Sequence, residues 1–413
     1  MYSGIRLRKL VFILCLLAPM GAVATDWPQF LGPTRNGIYA GPPLLDHWDS
    51  DGPKIVWQKK IGSGFSSPVV ARGRLILFHR VGPEEIVECL NATNGQTIWK
   101  HAYPATFSDP IKLDEGPRAT PAISDGKVYS YGADGILLCL DFETGAKVWS
   151  ADTKADFKAQ RPWFGMACSP LIESNSLLLN VGSANKMGVA AFDKKTGAVL
   201  WQSTHDRATG SSPVCATIHN RRYALFLTYS RLVGVDPADG KIQFQFPWLP
   251  HGYGPVVGAS PVVVDDSIFL SAIYTLGSVL LRVNADGAGV EKVWDTHDLS
   301  SHYQTGICKD GFLYAPDGHQ EEHPSLCCIA LATGAVQWKD PEYGEANLLL
   351  ANDNLVLLTQ HGELIIAPAS PKKFQVKARA QILPFLVRAY PAISDGFLFG
   401  RATAKLVCVD LRP

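Results

Sequence analysis

Five short stretches gather the residue types that bind or react: Asp114-Glu115-Gly116-Pro117-Arg118, Arg161-Pro162-Trp163-Phe164-Gly165, His251-Gly252-Tyr253-Gly254, Ser301-His302-Tyr303-Gln304 and Arg388-Ala389-Tyr390. Arg118 and Arg388 carry planar forks that can grip an anionic or carbonyl-bearing ligand in a bidentate manner. Trp163, Phe164 and Tyr253 offer flat faces on which a planar or sugar-like ring can stack. His251, His302 and Tyr303 add polar groups in equivalent stretches. The competing reading is that these side chains only fill a channel and cap loops. The candidate ligand residues are therefore Arg118, Trp163, Phe164, His251, Tyr253, His302, Tyr303 and Arg388.

Other combinations carry less. His319-Gln320-Glu321-Glu322-His323 spells an inverted zinc-peptidase pattern, which needs a helix to put both histidines on one face. Asp317-Gly318 before it and Pro324 after it predict a loop, so no metal site is assigned. Gly62-Ser63-Gly64 is a turn before a strand, unlike the strand-to-helix elbow of a serine hydrolase. Glycines are spread among turns, which leaves no loop to cradle a phosphate. No catalytic residue is assigned.

What must position these stretches is a repeat. Its clearest copy is Asp141-Phe142-Glu143-Thr144-Gly145-Ala146-Lys147-Val148-Trp149. Further copies run from Asn91 to Trp99 and Asp193 to Trp201, with looser ones from Asp236 to Phe244, Asn284 to Trp294 and Ala330 to Trp338. Each phrase joins two strands. The Asp carboxylate accepts turn N–H groups, the Gly supplies the positive φ of a tight hairpin, and the aromatic packs on the next unit. A second marker sits upstream: Ser67-Pro68, Thr120-Pro121, Ser169-Pro170, Ser212-Pro213, Ser260-Pro261 and Tyr390-Pro391. Pro is tolerated at the first residue of a strand. One repeat is a four-stranded antiparallel meander.

The two series of markers are out of phase. Trp57 has no acidic partner before it, and Asp410 has no Trp after it, while Phe374 serves as a degenerate eighth aromatic. A ring resolves this, with the strand around Trp57 completing the last blade beside Leu406 to Asp410. Closure of this kind removes sheet edges. The expected fold is an all-β, eight-bladed β-propeller of four-stranded antiparallel blades at about 45 residues per blade, closed by its N- and C-terminal strands. The expected organisation is a signal segment over 1–24, a lead-in over 25–53 and the propeller over 54–413.

Arg6, Arg8 and Lys9 precede the apolar run Leu10 to Ala18, and Ala22-Val23-Ala24 follows as a small-x-small cleavage site. That pattern predicts an exported chain, periplasmic or extracellular, with no transmembrane segment in the mature protein. Without residues 1–24 the chain has 35 basic and 38 acidic residues and no Lys/Arg cluster, which argues against nucleic acid as a partner. Cys89, Cys139, Cys328 and Cys408 each stand two residues before the acidic position. They occupy the same inward site in separate blades, about 10 Å apart, so most cysteines are expected as buried thiols.

The phrase Asp-x-x-Thr-Gly-x-x-x-Trp around an eight-bladed ring resembles the pyrroloquinoline-quinone (PQQ) repeat family of the quinoprotein alcohol dehydrogenase-like superfamily. The opening Trp27-Pro28-Gln29-Phe30-Leu31-Gly32-Pro33 resembles the lead-in of PQQ-like repeat proteins. The resemblance implies either a dehydrogenase holding PQQ and calcium at the axis, or an exported propeller without demonstrated chemistry. The exported propeller of the outer-membrane β-barrel assembly machinery is of the second kind, and this chain lacks its lipid-anchor cysteine. Dehydrogenases of the first kind are longer and close two adjacent cysteines into a ring over PQQ. Here Cys327-Cys328 falls inside a strand, where neighbours point to opposite faces. No calcium set matches residue by residue. The expectation is a monomeric binding or scaffold protein, more non-catalytic than enzymatic, that takes a protein or small molecule at its loop-rich face. The alternative is a quinoprotein-like dehydrogenase with PQQ or another planar cofactor at the axial mouth.

Overall fold

The computed structural model describes residues 25–183, 185–248, 257–319 and 323–413. The expected signal segment lies outside the described residues. Eight antiparallel sheets follow one another along the chain. The first holds Val69–Ala71, Arg74–Val81, Glu84–Asn91 and Thr97–Pro104. The eighth is assembled from both ends: Ile55–Lys60 pairs with Lys405–Asp410, which pairs with Phe397–Arg401 and then Ala392–Ser394. Trp57 lies opposite Cys408 in this seam. The fold is thus an eight-bladed β-propeller closed by its terminal strands, as the phase of the repeat requires.

The geometry gives the repeat phrase its physical content. In blade two, Asp141 Oδ1 accepts the Glu143 and Thr144 amides, at 3.1 Å each, and the Thr144 hydroxyl at 3.0 Å. Gly145 then turns the chain at φ 71°. The Trp99 indole of the preceding blade lies flat against that glycine, so close that a Cβ would sit 2.5 Å from its ring. Its Nε1 donates to the Phe142 carbonyl at 3.0 Å. Trp57, Trp149 and Trp201 repeat the contact on Gly95, Gly197 and Gly240. The turn glycine and the aromatic knob are therefore two halves of one inter-blade joint. Blade seven departs from the expected spacing. Its outer strand is Ala378–Gln381, and Phe374 sits before that strand while still packing on Trp338 at 5.7 Å.

The Ser/Thr-Pro marker also links blades. The Ser67 amide donates to Thr120 Oγ1, Thr120 to Ser169 Oγ, Ser169 to Ser212 Oγ, Ser212 to Ser260 Oγ and Ser260 to Thr305 Oγ1. The Thr305 amide then reaches the Tyr390 hydroxyl at 2.6 Å. A belt of buried hydroxyls thus runs around the axis from blade one to blade eight and satisfies amides that the strands leave unpaired.

Loops leading into the innermost strands share one face of the ring with the loops between the two middle strands. The Asp-to-Trp turns lie on the opposite face. The segment after residue 25 begins on that opposite face, where Asp26 accepts the Arg72 amide and Thr25 meets Asp395. It then enters the axis. Trp27 pairs with Val70, Pro28 accepts the Ile123 amide, and Ile38–Tyr39 pairs in parallel with Leu350 and Ala351. Trp27, Leu31 and Tyr39 are buried in the same core as blades one, seven and eight. The lead-in is a plug that fills one end of the channel. The described cysteines are free thiols, and those at 89, 139, 328 and 408 are buried, each opposite the knob tryptophan of its own blade.

Candidate functional site

Above the plug, on the loop-rich face, lies a cavity of about 810 Å³, within the size range of small-molecule sites. Six of the expected residues line it: Arg118, Trp163, Phe164, His302, Tyr303 and Arg388. Each comes from a loop that runs into an innermost strand, so the meander topology brings them together. His251 and Tyr253 lie outside the described residues. Val257 and Gly258, farther along the same loop, line the cavity. The floor is Phe30 of the plug, edge-on to Tyr390 at 5.4 Å.

The arginines differ in state. Arg118 Nη2 lies 3.0 Å from Asp109 Oδ2 and donates to the Asp114 carbonyl. Its guanidinium packs over Phe65, Phe107 and Phe164 at 5.5, 5.3 and 5.9 Å. It is a neutralised, stacked group rather than an open fork. Arg388 lies over Phe65 at 5.6 Å and Tyr303 at 5.7 Å, and its Nε is buried without a hydrogen-bond partner. Arg207 is exposed at the rim over Tyr229, at 5.0 Å. Among the described residues neither Arg207 nor Arg388 has a carboxylate within ion-pair reach, and no Asp, Glu or Lys lines the cavity.

His302 stands beside this charge. Burial, then the charges of Arg388 and His319, push its pKa down to about 3. It is therefore a neutral imidazole at ordinary pH, and its Nδ1 is buried without a partner. His302, Tyr303, Tyr274 and His319 form an aromatic group, with the two imidazole rings 6.2 Å apart. His319 follows the strand Phe312–Asp317 in non-helical backbone, and His323 lines a separate small hollow beside Glu342, Glu345 and His361. No group of three His, Cys, Asp or Glu residues among the described residues is placed to hold a metal ion.

Sequence reasoning missed Phe65, Arg207, Tyr229 and Tyr274 as lining residues, and Phe30 as the floor. Arg207 and Phe65 had an available signal. Phe65 stands two residues before Ser67-Pro68, just as Arg118 stands two before Thr120-Pro121, and Arg207 lies in the equivalent loop, five residues before Ser212-Pro213. Phe30 had none, because nothing local says that the lead-in enters the axis.

Comparison with known proteins supplies the family. Residues 83–340 match the family model described as outer membrane protein assembly factor BamB. The chain belongs to this family. Within it, the fold is shared with BamB from Moraxella catarrhalis, at a TM-score of 0.63 and 16% identity over 86% of this chain and 96% of that one. It is equally shared with quinohemoprotein alcohol dehydrogenase from Comamonas testosteroni, at a TM-score of 0.67 and 13% identity over 93% and 80%. At the sequence level, quinohemoprotein alcohol dehydrogenase ADH-IIG of Pseudomonas putida is 29% identical over 144 residues, 33% of this chain and 19% of that protein. Tetrathionate hydrolase of Acidithiobacillus ferrooxidans is 23% identical over 231 residues, 53% and 43%. The chain thus spans less than half the length of these curated relatives.

Some of these relatives bring the quinone cofactor into question. The arginines and stacked rings of the cavity fit a flat anion. Calcium takes about six to eight oxygen ligands, carboxylates prominent among them, and the described lining offers hydroxyls and arginines instead. Cys327 and Cys328 are free and buried inside the strand Ser325–Ala330, away from the cavity. Burial pushes both thiols up to about 12. The described residues therefore do not fit a calcium-held quinone beneath a cysteine ring.

Proposed function

We propose that this protein is an exported, non-catalytic binding propeller that captures a small ring-bearing molecule, or such a group on a larger partner, in the cavity on its loop-rich face. One observation carries the reading: a channel plugged at one end by the lead-in leaves an aromatic-walled cavity of about 810 Å³ at the other. The plug turns a tunnel into a cup, so whatever binds enters and leaves on the loop side. Trp163, 69% exposed, stands at the mouth. Aromatic walls with few polar groups are the usual composition of ligand pockets. The N-terminal pattern of Arg6, Arg8, Lys9 and Ala22-Val23-Ala24 supports export. Among the described residues no helix is long and apolar enough to cross a membrane.

The test is ligand-observed NMR with a small set of ring fragments. Binding is expected in the native protein and lost in Ala167→Trp, which fills the cavity from its wall. Equal binding by both forms would place the ligand elsewhere. The dehydrogenase reading is favoured only by kinship. It predicts saturable PQQ binding with calcium and turnover of alcohols or aldoses with an artificial electron acceptor; such turnover would defeat the non-catalytic proposal.

A further inference from the structure

We infer that the cavity selects organic anions, specifically flat rings bearing a carboxylate, and that Arg388 is their direct anchor without a bridging metal ion. The inference rests on the cavity being the binding site.

Three observations meet at Arg388. First, charge is unbalanced there. Arg118 and Arg388 flank the same Phe65 ring, at 5.5 and 5.6 Å, but among the described residues only Arg118 has a carboxylate. Asp109 and Asp114, on the loop that carries Arg118, are already committed. Asp109 accepts from Arg118 and the Ile111 and Asp114 amides, and Asp114 accepts the Gly64 and Gly116 amides. Second, two polar atoms at this spot are buried without partners, Arg388 Nε and His302 Nδ1. Buried polar atoms are nearly always hydrogen-bonded, so a pair of orphans lining one cavity points to a missing partner, and for the Arg388 N–H that partner must be an acceptor. Third, the chemistry of the neighbours matches. His302 is kept neutral by burial and by Arg388, so it can add a hydrogen bond without a proton being taken up. Tyr303 and Phe65 hold the guanidinium plane and leave the fork to a planar carboxylate, the geometry that Arg recognises best. A divalent cation placed here would meet arginine, not acid.

The experiment compares 2-naphthoate with 2-naphthamide, which has the same shape and no charge. Both are titrated calorimetrically into the native protein, in EDTA and again in excess calcium. The acid is expected to bind about ten- to a hundred-fold tighter than the amide, the range of a charge-assisted hydrogen bond, equally in both buffers, and more weakly as salt rises. Arg388→Gln should bring the acid down to the amide's affinity while leaving the amide unchanged; the same change at Arg118 should not erase the preference. The acid–amide comparison in native protein stands even if a variant folds poorly. Equal affinity of acid and amide, or a strict need for calcium, overturns this inference and leaves the cavity reading intact. Failure of both probes overturns the inference and the cavity reading together.

Discussion

The contact between a tryptophan and the next blade's turn glycine is the smallest unit that explains this fold. Gly145 must have φ near 71° and must have no Cβ, because Trp99 occupies that space. Gly145→Ala should therefore cost about 1–3 kcal/mol through overpacking and left-handed strain together, seen as a lower urea midpoint. Gly73 has a positive φ but open space around it, so Gly73→Ala should carry the smaller, strain-only penalty. The same residue-level reasoning gives a pH effect. Burial alone would raise the Glu88 carboxyl, but His79, the Thr97 hydroxyl and Lys100 outweigh it and hold it at about 2. Because the folded value lies below the ordinary one, Glu88 stabilises the protein above about pH 4.3 and that contribution fades as pH falls toward 2. Glu88→Gln should lower stability at pH 7 and flatten the acid limb of a stability–pH curve. The candidate arginines were legible as types. Their states were not, because the eight residues between Asp109 and Arg118 do not say that the two side chains meet.

Strands, turns and the Ser/Thr-Pro marker were legible as elements because each obeys a local rule. Alternation places the core face, and Asp-Gly pairs turn the chain. The role of the marker hydroxyls lay beyond local rules, since those of Thr120, Ser169, Ser212 and Ser260 each accept an amide from the preceding blade. Tyr390 is instructive. Its longer side chain carries the hydroxyl past blade seven to the Thr305 amide of blade six, at 2.6 Å. Tyr390→Phe leaves that buried amide unpaired, at a cost of about 1–3 kcal/mol. Thermal melting should show the loss, whereas a fall much below this range would mean that the belt is decorative. The lead-in is the other element whose role depends on the ring. Read along the chain it is a polar, proline-containing preface; in space it floors the cavity.

At the scale of the molecule, closure couples the two ends of the chain. Lys59, on the terminal strand of blade eight, reaches Glu88 of blade one at 3.5 Å. Arg401 is fully buried at the same junction and donates to the Gly62, Ser66 and Phe78 carbonyls. A chain ending before Leu406 removes the strand between Ile55–Lys60 and Phe397–Arg401. It should lose the single cooperative transition of the full ring and melt early throughout. A truncated chain that melted like the whole would show that the blades are independent.

The sequence by itself determined the number of blades, their order and the seam between Trp57 and Asp410. It could do so because a repeat writes the same local instructions eight times, and their phase shows where the ends must meet. It also determined which loops would share a face. Only the tertiary structure decided that the axis is plugged, that Asp109 neutralises Arg118, and that Arg388 and His302 are left with buried, unpartnered atoms. The first and last of those facts depend on parts of the chain that come together only once the ring has closed, and the second on the path of one loop between Asp109 and Arg118.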